Sequence, residues 1–186
     1  FEPDPAALAK LRANLALNPD LAARIDLRPV ALVPELAKGA ETTALSTEEP
    51  GNSMSGAFRD APHRLEVPAA TPESAGLDAL FATADLVKID IEGGEFSLLP
   101  ALTPLLARHR PALHLSFHAQ FLPEAQLGAA RRTAMMSETV WALAPYRRLY
   151  RAESGRWRPC DGAPVETLAA MIERERAGGR GLVGSA

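Results

Sequence analysis

The feature that most constrains the fold is an apolar run that ends in carboxylates and glycines. Residues 86–91 read Leu-Val-Lys-Ile-Asp-Ile, and Glu92, Gly93 and Gly94 follow them. A short run of apolar and β-branched residues is typical of a buried parallel strand. The glycines permit a tight turn, and leucines at helical spacing begin directly afterwards. The sequence therefore predicts a strand, a turn and a helix, the building unit of an α/β fold.

The remaining chain alternates between helical and extended patterns. Helices are predicted at residues 5–18, 74–82, 96–106, 123–144 and 165–177, and strands at 24–33, 41–47, 63–67, 112–118, 146–152 and 156–158. This alternation predicts a mostly parallel sheet with helices on both faces and a C-terminal antiparallel hairpin. Pro100 is expected to break or kink its helix. We expect one domain over residues 1–177 and a flexible tail over 178–186.

Composition excludes several classes of protein. A chain of 186 residues is long enough for one domain with a sizeable core. Its net charge of -3 gives no electrostatic footprint for nucleic acid, so no nucleic-acid partner is expected. No apolar stretch approaches the roughly 20 residues of a membrane span, and a cytoplasmic location is the default expectation. The single cysteine, Cys160, permits no internal disulfide and stands in no metal-ligand spacing.

The first five residues carry a candidate cofactor ligand. Asp4 can cap a helix that Pro5 begins, and Glu2 would close a strand just before it. Ligands of open α/β sheets bind at the carboxyl ends of strands, where a carboxylate can accept hydrogen bonds from both ribose hydroxyls of a nucleoside. The alternative is a surface carboxylate stabilised by the helix dipole. Because no strand has room before this helix, we expect an incomplete domain.

Two carboxylates follow the apolar run of residues 86–91. Asp90 and Glu92 share one face of an extended chain, about 6.6 Å apart along it, so both can point into one site. A carboxylate that ends a buried strand needs a specific reason, which favours a functional role for Asp90. For Glu92 and Glu95 the alternative is favourable charge at a helix start.

Two histidines lie in the predicted strand over residues 112–118. In an extended chain His114 and His118 are about 13 Å apart, so they cannot share one metal ion, and no metal site is predicted. His118 ends the strand and is a candidate general base, because its pKa lies near working pH. His114 is interpreted as a core or subsurface residue.

Several of these motifs resemble the FkbM family of methyltransferases. The matching segments, in family order and spacing, are Phe1-Glu2-Pro3-Asp4-Pro5, Leu11, Asn14, Asn18, Leu77-Asp78, residues 87–95 (Val-Lys-Ile-Asp-Ile-Glu-Gly-Gly-Glu), Arg108-His109-Arg110-Pro111 and Leu115-Ser116-Phe117-His118. The resemblance implies a Rossmann-like class I methyltransferase fold that binds S-adenosyl-L-methionine. It also implies methylation of a hydroxyl on a sugar, polyketide or other secondary metabolite.

The resemblance carries roles over to individual positions. Glu2 and Pro3 correspond to the cofactor-binding end of the second strand, with Glu2 on the ribose. Asp90 ends the fourth strand and serves both cofactor and catalysis, while His118 ends the fifth, and Glu92 is the third catalytic candidate. The first strand and its glycine-rich loop have no counterpart and are expected to be missing.

Other functions remain open at this point. A metal-dependent glycosyltransferase could use Asp90 and Glu92 as paired acids that hold a divalent ion and a sugar nucleotide. A nicotinamide-dependent oxidoreductase could place Glu2 on a ribose, and an inactive fragment could retain only the fold. The expected partner is a small-molecule or glycan acceptor, and the oligomeric state and any metal requirement stay open.

Overall fold

The computed structural model describes residues 1–47, 53–55, 63–122, 127–153, 156–160, 168–170, 172 and 181–185. The chain groups into two compact units, Phe1–Thr71 and Pro72–Ala186. Each unit combines helices with a sheet, which confirms the mixed α/β class. The single-domain extent of 1–177 stays a prediction. Among the described residues, no helix has both the length and the apolar composition that crossing a bilayer requires.

The first unit opens with a capped helix. Helix α1 spans Pro5–Ala16, and α2 spans Pro19–Ala22. The Asp4 carboxylate accepts hydrogen bonds from the backbone N–H groups of Ala6 (2.7 Å) and Ala7 (3.2 Å). These bonds satisfy donors that have no partner within the helix, and Pro5 occupies a position where its missing N–H costs nothing. The predicted helix start is confirmed.

Within the part of the chain that the structure describes, four strands form the sheet of the first unit. They are β1 (Ala31–Leu32), β2 (Thr42–Thr47), β3 (Ser53–Ser55) and β4 (His63–Ala70), in the order β1-β4-β2-β3. Ala31, Leu45 and Val67 form its buried core. Of the strand predicted over 24–33, only β1 is observed. Pro29, two residues before β1, has no N–H to donate to a neighbouring strand.

The second unit carries the candidate site. Its elements are α3 (Leu77–Thr83), β5 (Leu86–Ile89), α4 (Glu95–His109), β6 (Ala112–Ser116), a 3₁₀ turn (Ala119–Phe121), α5 (Ala129–Trp141), β7 (Arg148–Glu153), β8 (Arg156–Pro159) and β9 (Gly181–Ser185). The strand order is β5-β6-β9-β7-β8. The parallel β5–α4–β6 unit and the antiparallel β7/β8 hairpin agree with the sequence predictions. The prediction that residues 86–91 form a buried strand is wrong, because β5 lies at the edge of the described sheet and Leu86 and Lys88 are exposed.

Two predictions about the sheet are wrong. Among the described strand pairs only β1/β4 and β5/β6 are parallel, so the sheets are not mostly parallel. Residues 181–185, expected in a flexible tail, form β9 between β6 and β7 and pair antiparallel with both. The pattern of apolar side chains indicates which residues are buried, but it does not indicate the direction of a strand. Strand β9 forms because its backbone N–H and C=O groups pair with those of β6 and β7. Neither feature is encoded locally.

Helix α4 continues through Pro100, where a break or kink was expected, and also through Pro104. Five apolar side chains of α4 are buried: Phe96, Leu98, Leu99, Leu102 and Leu106. Each contributes about 1.5–3 kcal/mol on burial, whereas an interior proline costs roughly 3 kcal/mol. Burial of this face therefore outweighs the lost backbone hydrogen bonds and keeps the helix whole.

A buried tyrosine anchors the start of β6. The Tyr146 hydroxyl donates a 2.8 Å hydrogen bond to the Pro111 carbonyl, and burial raises the pKa of Tyr146 to about 12. Tyr146→Phe should lower the free energy of unfolding by about 1–3 kcal/mol, because a buried carbonyl loses its donor. Urea unfolding at pH 8 measures this loss. Tyr150→Phe, the same change at a half-buried tyrosine, is the control.

The same pair predicts a pH dependence with a definite sign. The Tyr146 pKa is about 12 in the folded protein and 10.0 as the ordinary value. The contribution of Tyr146 is therefore complete below pH 10 and is lost as the pH rises towards 12. The stability gap between the wild type and Tyr146→Phe should narrow across this window, and a constant gap would contradict the assignment.

Candidate active site

The candidate site lies at the carboxyl ends of β5 and β6. These neighbouring strands run parallel, with Ile89 paired to Leu115. Asp90 follows directly after β5, and His118 lies two residues beyond the end of β6. Because parallel strands end at one edge of a sheet, both side chains leave the sheet on that edge.

The three predicted catalytic side chains meet there. His118 Nε2 lies 3.7 Å from Asp90 Oδ1 and 4.0 Å from Glu92 Oε1. The imidazole is only 10% exposed, whereas the Asp90 and Glu92 side chains are 36% and 40% exposed. The site thus has a buried imidazole whose outer nitrogen faces two solvent-accessible carboxylates.

Glu95 contacts both His118 and the loop that carries Glu92, and it was not predicted as a site residue. Its side chain is fully buried at the start of α4. Oε1 accepts from the Ile91 N–H at 3.0 Å and lies 2.8 Å from His118 Nδ1, and Oε2 accepts from the Gly93 N–H at 2.8 Å. A signal in the sequence could have indicated this role, because Glu95 directly follows the turn at Gly93 and Gly94. The backbone N–H groups of such a turn have no partner in a strand or helix and need another acceptor.

The loop between β5 and α4 has an unusual backbone. Glu92 and Gly93 have φ angles of 53° and 99°, in the region that favours glycine. A Cβ on Gly93 would lie 2.9 Å from the Phe121 Cβ. The Phe121 ring stacks on the His118 imidazole, with centroids 5.9 Å apart and planes at 23°. The loop and the imidazole are therefore packed against the same phenylalanine.

A buried arginine fixes the turn that follows His118. Arg132 of α5 donates from its guanidinium to the carbonyls of Ala119 (2.9 Å) and Leu122. These two carbonyls lie at the ends of the 3₁₀ turn, so Arg132 holds the backbone that carries Phe121. Sequence reasoning missed Arg132, because an arginine in an amphipathic helix usually marks the solvated face.

Charge and hydrogen bonding shift two pKa values in the site. The hydrogen bond from His118 to Glu95 raises the pKa of His118, burial opposes it, and the charges of Glu95, Glu92 and Asp90 add to the increase. Burial acts to raise the pKa of Asp90, but the ion pair with Lys88, together with His118 and Ser116, lowers it overall. Asp90 is therefore ionised at neutral pH, and His118 keeps its proton to a higher pH than an ordinary histidine does.

The site also contains atoms that could bind a metal ion. One ligand atom each from Asp90, Glu95 and His118 lies within 4.8 Å of the others. The two Glu95 oxygens already accept from Ile91, Gly93 and His118, and Asp90 Oδ2 pairs with Lys88 Nζ at 2.7 Å. A metal ion bound here would therefore compete with the hydrogen bonds of Glu95 and with the Lys88 ion pair.

His114, which lies within β6, takes no part in this cluster. The rings of His114 and Trp157 meet edge to face, with centroids 6.0 Å apart. This position agrees with the interpretation of His114 as a subsurface residue.

Glu2 and Pro3 belong to the first unit, beside the start of α1. Phe1 and Glu2 lie in no described strand, so the expectation that Glu2 closes a strand is wrong. Its backbone N–H makes one bond, to the Arg28 carbonyl at 3.1 Å, which is too little for a ladder. Glu2 Oε1 accepts the Asp4 N–H at 2.9 Å, and the side chain is half-buried. A half-buried carboxylate of this kind suits hydroxyl groups, and its role on a ribose stays a prediction.

Comparison with known proteins identifies a family. The model of the methyltransferase FkbM domain matches residues 1–145 of the 186. The match includes every candidate residue from Glu2 to His118, together with Glu95. No curated protein and no solved structure matches the chain at a significant level.

Proposed function

This chain belongs to the FkbM family of methyltransferases, and we propose that it methylates a hydroxyl of a small-molecule or glycan acceptor from S-adenosylmethionine. A sugar or polyketide hydroxyl is the acceptor class we favour. The observation that carries the proposal is the meeting of Asp90, Glu92 and His118 at the end of two parallel strands. The family match covers all three residues.

The proposed chemistry needs a base beside the acceptor. S-adenosylmethionine, when bound, supplies an electrophilic methyl carbon that the acceptor oxygen attacks as the carbon–sulfur bond breaks. His118 Nε2 takes the hydroxyl proton, because Nδ1 is engaged by Glu95 and Nε2 is the nitrogen facing the carboxylates. Asp90 and Glu92, 3.7 Å and 4.0 Å away, stabilise the imidazolium as it forms.

Further features support the same proposal. The β5–α4–β6 unit is the element from which Rossmann-like sheets are built. The family match runs through the boundary at Thr71, which supports one methyltransferase domain. Within it we assign Glu2 to the ribose hydroxyls and Pro3 and Asp90 to the remaining cofactor contacts. Family membership does not favour the glycosyltransferase alternative.

The Glu2 assignment predicts a selective loss of cofactor affinity. In the full-length protein, Glu2→Gln should raise the Kd of S-adenosylmethionine by about 10- to 100-fold, because charge-assisted hydrogen bonds contribute roughly 1.5–3 kcal/mol. Isothermal titration calorimetry measures the Kd. Glu35→Gln, at an exposed carboxylate of the same unit, should leave it unchanged.

The proposed function is tested by binding and transfer together. The protein is titrated with S-adenosylmethionine and with a nucleotide sugar plus Mn²⁺, and methyl-labelled cofactor is offered with a panel of sugars and polyketides. Label transfer to a hydroxyl supports the proposal. Binding of the nucleotide sugar without S-adenosylmethionine binding would replace it with the glycosyltransferase.

A further inference from the structure

We propose that Glu95 is a positioning residue that fixes the tautomer of His118 and holds the loop bearing Asp90 and Glu92 against it. The inference rests on the proposed function, in which His118 is the base. It adds a residue that the sequence analysis treated only as favourable charge at a helix start. It is based on the fully buried Glu95 carboxylate, which contacts both the loop that carries Glu92 and the His118 imidazole; these are the two halves of the site.

The burial of Glu95 implies that its contacts are specific. An ionised carboxylate in a protein interior is strongly unfavourable unless donors compensate for its lost hydration. At Glu95 these are the N–H groups of Ile91 and Gly93 and the ring nitrogen of His118. An ionised carboxylate only accepts hydrogen bonds, so the proton of a neutral imidazole must lie on Nδ1. The lone pair of His118 is then on Nε2.

The same carboxylate sets the distance between the two halves of the site. Ile91 and Gly93 flank Glu92 in the loop, and both donate to Glu95. His118 lies two residues beyond the carboxyl end of β6 and 23 residues further along the chain than Glu95. A rigid link between loop and imidazole therefore runs through Glu95. The separations of 3.7 Å and 4.0 Å from Nε2 to the two outer carboxylates depend on it.

Replacement by glutamine keeps the size of the side chain, removes its charge and changes which atoms can accept a hydrogen bond. The amide has one accepting oxygen and an NH₂ group that only donates. If its oxygen takes the Oε2 position and keeps the Gly93 N–H, the NH₂ group takes the Oε1 position, faces His118 Nδ1 and forces the imidazole proton onto Nε2. The base is then blocked while the fold is kept, as happens when an amide replaces the orienting carboxylate of a serine protease triad.

The test is Glu95→Gln in the full-length protein, with two readouts. Turnover should fall about 10²- to 10⁴-fold, the range for loss of a positioned base, while the Kd of S-adenosylmethionine changes less than threefold. ¹⁵N NMR of the imidazole should show Nδ1–H in the wild type and Nε2–H in the variant. Glu138→Gln, at an exposed carboxylate of α5, should change neither readout.

The two readouts fail differently. A wild-type His118 that carries its proton on Nε2 overturns the Glu95 inference, even if the variant does not fold. Full turnover in Glu95→Gln beside an inactive His118→Ala also overturns it, and leaves the proposed function intact. An Nδ1–H tautomer that switches in the variant, in a protein without methyl transfer, supports the positioning role and rejects the proposed function.

Discussion

His118→Ala is expected to lower turnover about 10²- to 10⁴-fold while the affinity for S-adenosylmethionine changes less than threefold. The His118 imidazole is the candidate base of this site, and its Nε2 faces the two exposed carboxylates. Without it, the acceptor hydroxyl must lose its proton to a weaker base. Steady-state kinetics and calorimetry on the same preparation separate the two effects.

The pH profile gives a second signature of the same base. Hydrogen bonding to Glu95 raises the pKa of His118 above its ordinary 6.5. A base acts when unprotonated, so kcat/KM of the wild type should rise with pH and level off only above that ordinary value. This limb should disappear in His118→Ala.

Matched variants make the result specific. His114→Ala removes the histidine within β6, which packs on Trp157, and should leave turnover nearly unchanged. Asp90→Ala should also reduce turnover well beyond any loss of cofactor affinity, because Asp90 stabilises the imidazolium. If neither Asp90→Ala nor His118→Ala slows the reaction, the catalytic assignment is wrong.

Gly93→Ala should destabilise the second unit by about 2–5 kcal/mol. Its φ of 99° costs an L-residue roughly 1–2 kcal/mol, and the new Cβ would lie 2.9 Å from the Phe121 Cβ. The Phe121 Cβ is bonded to the backbone and cannot swing away, so relief requires movement of the 3₁₀ turn, at a further 1–3 kcal/mol. Differential scanning calorimetry should record a Tm lower by roughly 10 °C.

Gly76→Ala separates the cost of the backbone angle from the cost of the contact with Phe121. Gly76 also has a positive φ, 66°, but nothing lies within 4 Å of its Cβ position. Its loss should be about 1–2 kcal/mol, the cost of the backbone angle alone. Equal decreases in Tm for both variants would show that contact with Phe121 contributes nothing at Gly93.

The site residues differ in how far the sequence reveals them. Asp90 and His118 could be predicted because each directly follows or ends a recognisable strand pattern, and parallel strands bring their ends together. Glu95 could not, because its partners depend on the turn geometry and on a histidine 23 residues away. Arg132 could not either, since its carbonyl partners belong to a turn without a sequence pattern.

By itself, the sequence determined the helix start at Asp4 and Pro5, the β5–α4–β6 unit and the family motif, because these depend on neighbouring residues and on short-range periodicity. Only the tertiary structure decided that α4 continues through Pro100, that Gly181–Ser185 forms a strand, and that Glu95 contacts His118. Burial and backbone pairing with distant segments outweigh local preference at these places, and no local pattern records those partners.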